Sequence, residues 1–459
     1  MKRSTVVLAT FALVGCERVL GIDSGRFLVD ASSICASPIR VRVLYDMTGP
    51  TRDVGNDTGK GVYDYLRDID DTGALRGCRL DIDVQDTKYD PAATLAAYQA
   101  WQARPEWPEV SALFVQGTPM AQLIAPRAAD EHKVVVSSSY AGELAAPTFV
   151  SHDVSVPSLN DAFIEARVPV TKKSPGYPFA FFQATDYTTS ARIAINHAWR
   201  QGAKRVGFFY CTTSAFCTDP VDGAKLFLEQ LGGTKVGRDL AIELAEPADS
   251  VASKVRAFFQ QELAHKAADP SYDVVDWVWF GDTRAELASL GKALAGVKTD
   301  LGLSVNVITN TYGLDEALYA ACGDPCLGLL GVQAFYAWGD PSATGMQDVE
   351  RVHAKYRAID GDGPHQTVGY VAGYATTAAW KIAAAAVRDA GLPMNGDNLR
   401  TAFERFKNQP LEGLGAVSYS DVDHRPQGTA RIYRVASGGR LEAVGQPITI
   451  TLAPEWIGW

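Results

Sequence analysis

The sequence predicts an α/β protein built as two similar halves, each a parallel sheet with helices on both faces. Three observations carry this. Strand-type and helix-type patterns alternate from about residue 38, the signature of βαβ units feeding a parallel sheet. The alternation lapses once, between Ala145 and Pro178, where Pro147, Pro157, Pro169 and "TKKSPGYP" interrupt it, and then starts again. Three helices and a strand-rich tail follow the second run.

In the first run, "IRVRVLYD" reads as a strand, and "NDTGKGVYDYLRDIDDTG" as an amphipathic helix with Val62, Tyr65, Leu66 and Ile69 at helical spacing. "CRLDIDVQD" alternates as a strand. "DPAATLAAYQAWQ" starts a helix, with Asp90 as its cap and Pro91 in its first turn. "SALFVQ" is the third strand and "KVVVSSS" the fourth. Between them "PMAQLIAPRAADEH" is a helix that Pro126 bends or splits. The second run opens with helix "TTSARIAINHAWRQ" and strand "KRVGFFY". It continues with helix "DPVDGAKLFLEQLG", strand "LAIELA", helix "SVASKVRAFFQQELAH" and strand "VVDWVWFG". Helix "TRAELASLGKALAG" and the strands "LSVNVITN" and "LGLLGVQAF" close it. The last helices are "GMQDVERVHAKYRA", "HQTVGYVAGYATTAAWKIAAAAVRDAG" and "GDNLRTAFERFKNQ"; "AVSYS", "TARIYRV" and "PITITL" read as short strands.

The chain has 459 residues, 47% apolar and 21% charged, an ordinary composition for a folded protein with a sizeable core. Its formal net charge is −10 and it has no basic stripe, so nucleic acid is not an expected partner. The alanine-rich stretch Tyr370–Val387 contains Lys381 and only weakly apolar residues. It reads as a helix packed closely through small side chains, not as a membrane span.

The first residues, "MKRSTVVLATFALVGC", place Lys2 and Arg3 before an uncharged run from Thr5 to Val14. That run is too short to span a bilayer and has the length of a signal-peptide core. Leu13-Val14-Gly15-Cys16 resembles a bacterial lipobox, which implies a leader at 1–15, lipid on Cys16 and a linker at 16–35. A plain secretory signal and a buried N-terminal strand are the alternatives. Setting Cys16 aside leaves six cysteines. Cys35 and Cys78 lie at the starts of two strands expected to be parallel neighbours, Cys211 and Cys217 bound "CTTSAFC", and Cys322 and Cys326 bound "CGDPC". These local pairings are the expected disulfides among the fifteen that six cysteines allow, and an oxidising compartment is where they persist. Free core thiols are the plainer alternative. A zinc site from the last four is disfavoured, because "CTTSAFC" is wider than a usual zinc hook.

Several stretches together resemble type I periplasmic binding proteins of the branched-chain amino acid class. They are "VLYDMTGPTRDVGNDTGKGVYDYLRDID", "QDTKYDPAATLAAYQ", "VGYVAGYATTAAWKIAAAAVRDAG" and "LEGLGAVSYSDVDHRPQGTARIYRV". The resemblance runs from about Pro38 to Val435. It implies two doubly wound three-layer lobes joined by three crossing segments, with a ligand cleft between them. The first lobe would be 36–183 plus 338–410, and the second 184–337 plus 411–459.

A polar solute in such a cleft needs hydroxyls and backbone N–H groups, a carboxylate for any ammonium, and an aromatic wall. In the first lobe the loops after strands offer Asp46 and Thr48, then Gly117 and Thr118, then Ser139, Tyr140 and Ala141. The resemblance implies that Thr118 and Ser139–Ala141 hold the ligand's carboxylate and amino groups. Thr118 is equally a helix cap, and Ser137 and Ser138 read as strand-end residues. In the second lobe Phe216 stands where the family often has an aromatic residue over the ligand, without a phenolic hydroxyl. The amine-binding acid aligns ambiguously with Glu246 or Asp249. Asp282, Tyr312 and Asp315 complete the set, although Asp in such loops is often a cap or turn residue. Asp423-His424 reads as ordering a turn.

No His-Glu-x-x-His helix, nucleophile elbow or dinucleotide glycine fingerprint is present. In "DTGKG" a phosphate loop would need Gly at 54 and Ser or Thr at 61, where Val54 and Gly61 stand. The function expected is therefore binding, with no cofactor or metal. The protein would be an exported, lipid-anchored substrate-binding protein, periplasmic or on the cell surface. It would capture a small polar solute and hand it to an ABC permease. A ligand sensor of the same fold is the alternative, and an α/β enzyme is less supported.

Overall fold

The computed structural model describes residues 35, 37–145, 153–154, 168–169, 176–357, 364–426 and 428–450. The leader, Cys16, the linker to residue 34 and most of the irregular connection after Ala145 lie outside these residues.

Counting the longer elements, the first run comprises β1 (Ile39–Tyr45), α1 (Arg52–Thr72), β2 (Leu80–Asp86), α2 (Pro91–Gln102), β3 (Val110–Val115), α3 (Thr118–Asp130), β4 (Val134–Ser137) and β5 (Ala180–Phe181). The strands form one parallel sheet in the order β2-β1-β3-β4-β5. The second run comprises α4 (Tyr187–Arg200), β6 (Arg205–Tyr210), α5 (Ala215–Leu231), β7 (Lys235–Ala241), α6 (Ala248–Ala268), β8 (Trp277–Gly281), α7 (Arg284–Leu301), β9 (Asn306–Thr309) and β10 (Leu330–Gln333). Helices α8 (Met346–Arg357), α9 (Val368–Asp389) and α10 (Gly396–Glu404) follow, then β11 (Gly428–Val435), β12 (Leu441–Ala443) and β13 (Ile448–Ile450). The second sheet runs β12-β11-β10-β9-β8-β6-β7, parallel from β10 to β7 and antiparallel at β11 and β12, with β13 pairing β11.

Each sheet has its own core. β3 and β4 of the first are buried throughout, as apolar runs in a parallel sheet require. Val62, Leu66 and Ile69 of α1 join them, together with Trp380 of α9. The second sheet has one core on each face, one with α4 and α5 and the other with α6 and α7. The chain leaves the first core between Tyr187 and Ala191, returns to it between Ala337 and Ala343, and leaves it again between Tyr419 and Ala430, while Cys211, Phe216, Cys217 and Phe335 reach into it from the second run. Leu411, Leu414, Val417 and Tyr419 pack in the first core.

The small-residue packing expected of α9 is seen against α1. A Cβ on Gly373 would stand 2.1 Å from the Thr58 carbonyl oxygen, so the backbones approach as closely as glycine permits. Rings of Tyr65 and Tyr374 stack there at 3.7 Å. Among the described residues no helix is long and apolar enough to cross a membrane.

Two elements differ from the sequence reading. The strand placed at "LAIELA" runs instead over Lys235–Ala241, because it must lie along β6 from Arg205 to Tyr210. It is an edge strand with no fully buried residue, so it carries little apolar signal. Helix α5 starts at Ala215, before the expected Asp219-Pro220 start, which brings Cys217 to Cys211. All three local cysteine pairs are bonded: Cys35–Cys78, Cys211–Cys217 and Cys322–Cys326. The zinc alternative is thereby removed, since none of these sulfurs is a thiolate.

Candidate functional site

In both sheets the C-terminal strand ends carry the loops that face each other, as open α/β sheets arrange their ligand crevices. After β1, Asp46 accepts from the N–H groups of Gly49 (2.6 Å) and Thr51 (2.8 Å) and from the Thr51 hydroxyl (2.7 Å). Asp46 is therefore spent on shaping its loop. Thr48 is exposed and donates to Asp86 (2.5 Å).

After β3, Gly117 caps α3 with φ of 94°, and a Cβ there would meet Met120 Cε at 2.2 Å. Thr118 is thus the first helical residue rather than the cap, and no side chain caps this helix. Its hydroxyl is left for the cleft. Ser137 holds the β4 exit by bonding both the N–H and the carbonyl of Ser139 at 2.9 Å, the strand-end role expected of it.

Five groups then form one chain of hydrogen bonds. Ser139 Oγ donates to Thr118 Oγ1 (2.9 Å), Thr118 Oγ1 meets the Tyr187 hydroxyl (2.9 Å), and Tyr187 meets the Tyr312 hydroxyl (3.1 Å). Tyr312 donates to the Ser138 carbonyl (2.8 Å). One direction satisfies every hydroxyl: each donates to the next and the carbonyl ends the chain. Tyr312 comes from the second lobe and Ser138 from the first, so the chain ties the lobes together. Tyr140 stacks on Tyr312 at 5.7 Å, and Phe216 meets Tyr312 edge-on at 5.5 Å. Tyr89 of the first lobe reaches Ser214 of the second (2.6 Å).

Two cavities flank this chain. One, of about 10 Å³, is bounded by Tyr89, Thr118, Tyr187, Phe216 and Tyr312 among others. The other, of about 30 Å³, is bounded by Asp53, Asp57, Tyr140, Tyr312, Asp315 and Phe335 among others. Volumes near that of one water mark a cleft closed upon itself.

The larger cavity is acidic. Asp53 and Asp57 enter from α1, and Asp315 enters from the loop after β9. Arg284 of α7 reaches Asp315 (2.6 Å) and Asp57 (3.7 Å). Asp57 also accepts from the Thr367 hydroxyl (2.9 Å) and pairs with His365 Nδ1 (2.5 Å). Burial pushes Asp315 up to about 6 against the pull of Arg284, and raises Asp53 for the same reason. Glu286 is likewise raised by burial.

Of the residues singled out in the sequence, the structure gathers Thr118, Ser139, Tyr140, Phe216 and Tyr312 at the cleft, with Ala141 buried beside Tyr140. Three stand elsewhere. Thr48 lines neither cavity and its hydroxyl is taken by Asp86. Asp249 is exposed on the first turn of α6, on the outside of the second sheet. Asp282 is fully buried against the Cys211–Cys217 bridge and lines neither cavity; burial and Glu286 raise its carboxyl. The related candidate Glu246 is held by Lys254 and Ser250 on α6. Asp423 orders its turn as expected, pairing with buried Arg425 (2.6 Å). Sequence reasoning missed Asp53, Asp57, Tyr89 and Tyr187. The available signal was position alone: Tyr89 follows a strand end closely, Asp53 and Tyr187 open helices, and Asp57 lies one turn further along the same helix as Asp53.

Comparison with known proteins agrees with this architecture. A family model described as periplasmic binding protein matches residues 38–440, and the chain belongs to that family. Its fold is similar to an ABC transporter substrate-binding protein of Aeropyrum pernix, with a TM-score of 0.71 and 21% identity over 90% of this chain and 96% of that one. It is also similar to a branched-chain amino acid ABC transporter protein of Thermus thermophilus with bound valine, with a TM-score of 0.70 and 17% identity over 90% and 97%. A solute-binding protein of R. palustris in complex with benzoate matches with a TM-score of 0.65 and 16% identity over 91% and 98%. No curated protein matches the chain in sequence.

Proposed function

We propose that this protein is the extracytoplasmic solute-binding component of an ABC importer. It closes two lobes on a small polar solute and presents the closed form to a membrane permease. The observation that carries this reading is the hydroxyl chain from Ser139 through Thr118, Tyr187 and Tyr312 to Ser138, which fastens one lobe to the other at the strand ends. A solute that contacts both lobes within this cleft shifts the population toward closure by its differential affinity for the closed form. Family membership and three disulfides favour an exported protein. In this reading the leader 1–15 is removed, and lipid on Cys16 tethers the protein through the 16–35 linker. We assign the first lobe to about 36–183 and 338–420, with the remaining chain in the second.

The test is a melting and scattering screen of the mature chain against amino acids, amides, amines, short carboxylates and aromatic acids. A true ligand at about 100 times its dissociation constant adds roughly 2.7 kcal/mol of stability and reduces the radius of gyration. Thr118→Ala and Phe216→Ala each remove most of that gain. A screen in which no solute closes the protein, or in which both variants respond like wild type, refutes the reading.

A further inference from the structure

The hydroxyl pole of the cleft is saturated in the closed protein, because every donor in the chain from Ser139 to Tyr312 already has an acceptor. The opposite pole is different. Three carboxylates from two lobes, Asp53, Asp57 and Asp315, border one cavity. Their compensation is uneven. Arg284 pairs with Asp315 and Asp57 and attracts Asp53 from farther off. His365, whose Nε2 lies 3.0 Å from Lys60 Nζ, serves Asp57. Asp53 uses Oδ2 to accept from the Thr283 hydroxyl and the Ala285 N–H, both at 3.0 Å. Its Oδ1 is buried with no hydrogen-bond partner. A buried carboxylate oxygen left without a partner is costly, and here it belongs to a side chain bordering the cavity.

The chemistry of the walls narrows what would relieve that cost. Among the described residues the only side-chain group close enough to share one metal ion is Cys211, Cys217 and Asp282, whose sulfurs are bonded to each other. The three aspartates are therefore spread too widely for a single ion. Rings of Tyr140, Tyr312 and Phe335 border the same cavity, and aromatic faces attract organic cations. Val54 and Tyr312 are walls of both cavities, so the acidic cavity adjoins the one bounded by Phe216 and Tyr89.

We propose that the solute is an organic amine, its ammonium head held between Asp53 and Asp57 of the first lobe and Asp315 of the second, against the rings of Tyr140, Tyr312 and Phe335. This rests on the solute-binding reading above and names its ligand class. The three carboxylates outnumber the Arg284 guanidinium that pairs with two of them, so a head of positive charge adds attraction across the cleft and couples occupancy to closure. An anion meets the same three carboxylates unfavourably.

The experiment uses the mature chain at low salt, with n-butylammonium, putrescine, butyrate and L-leucine as probes, read by calorimetry and solution scattering. At least one amine binds and contracts the protein, and Asp53→Asn weakens that binding about tenfold or more. Asp315→Asn weakens it as well, while both unliganded variants melt cooperatively. Failure of both amines overturns the proposal, as does unchanged amine binding in Asp53→Asn. Closure on butyrate alone overturns the cationic head, and closure on leucine with neither amine bound overturns the simple-amine ligand, both leaving the solute-binding reading intact.

Discussion

The charge on Asp315 makes folding stability depend on pH in a calculable way. Asp315 is 7% exposed, and the groups facing it are Arg284, Asp53, Asp57 and Glu316. Burial raises its carboxyl from 3.8 to about 6. The folded pKa lies above the unfolded one, so the stabilisation from binding its proton is complete below the unfolded value. It is lost as pH rises through about 6. At 1.36 kcal/mol per unit this is about 3 kcal/mol in all, of which about 1 kcal/mol falls between pH 5 and pH 7. Histidines buried neutral, such as His197 and His353, act in the opposite direction over part of this window. The informative quantity is therefore the difference between wild type and Asp315→Asn, in which the histidine contribution is common. Urea unfolding of both proteins across this range measures it. The wild type loses about 1 kcal/mol relative to the variant from pH 5 to pH 7. A difference that stays flat, or that grows in favour of the wild type as pH rises, refutes the reasoning that burial outweighs Arg284 at this carboxylate.

Other consequences follow from single contacts. Gly373→Ala places a Cβ 2.1 Å from the Thr58 carbonyl oxygen and costs about 1–3 kcal/mol, read as a lower urea midpoint. Replacing Cys211 and Cys217 together by Ser frees the loop that carries Ser214 and Phe216; it costs about 2 kcal/mol for so short a ring on the chain-entropy account, and scattering shows a more open protein. Tyr312→Phe removes the 2.8 Å bond to the Ser138 carbonyl and weakens closure by about 1 kcal/mol, seen as a larger radius of gyration. Asp423→Ala removes the nearer of the two carboxylates paired with buried Arg425, leaving Asp186 at 3.9 Å, and lowers stability by about 1–3 kcal/mol in thermal unfolding.

The layered architecture and the local pairings were legible in the sequence because they rest on short-range physics. A period of two or of 3.6 needs only neighbouring residues. A bridge across "CTTSAFC" needs only a six-residue separation. The alanine-rich helix declared its close packing through its own small side chains. Strand-end loops after β3 and β4 also marked Thr118 and Ser139–Tyr140 as cleft residues. Where local signal was thin, the reading failed. β7 is an edge strand whose start is set by β6, and Asp249 looked like a ligand only because its neighbours aligned loosely.

Tertiary structure alone decided which groups meet across the cleft. Tyr312 reaches Ser138 across a separation of 174 residues, and Thr283 reaches Asp53 across 230. Periodicity states which face of a helix is buried, but not which residue of another lobe it is buried against. Thr118 became a cleft hydroxyl only because Gly117 took the cap, and Asp53 became an acidic wall only because α7 stands opposite it. The sequence by itself determined two covered sheets, parallel through their βαβ runs, and their local bridges. The electrostatic character of the space between them depends on how those sheets are set face to face, because charge acts through distance in space rather than along the chain.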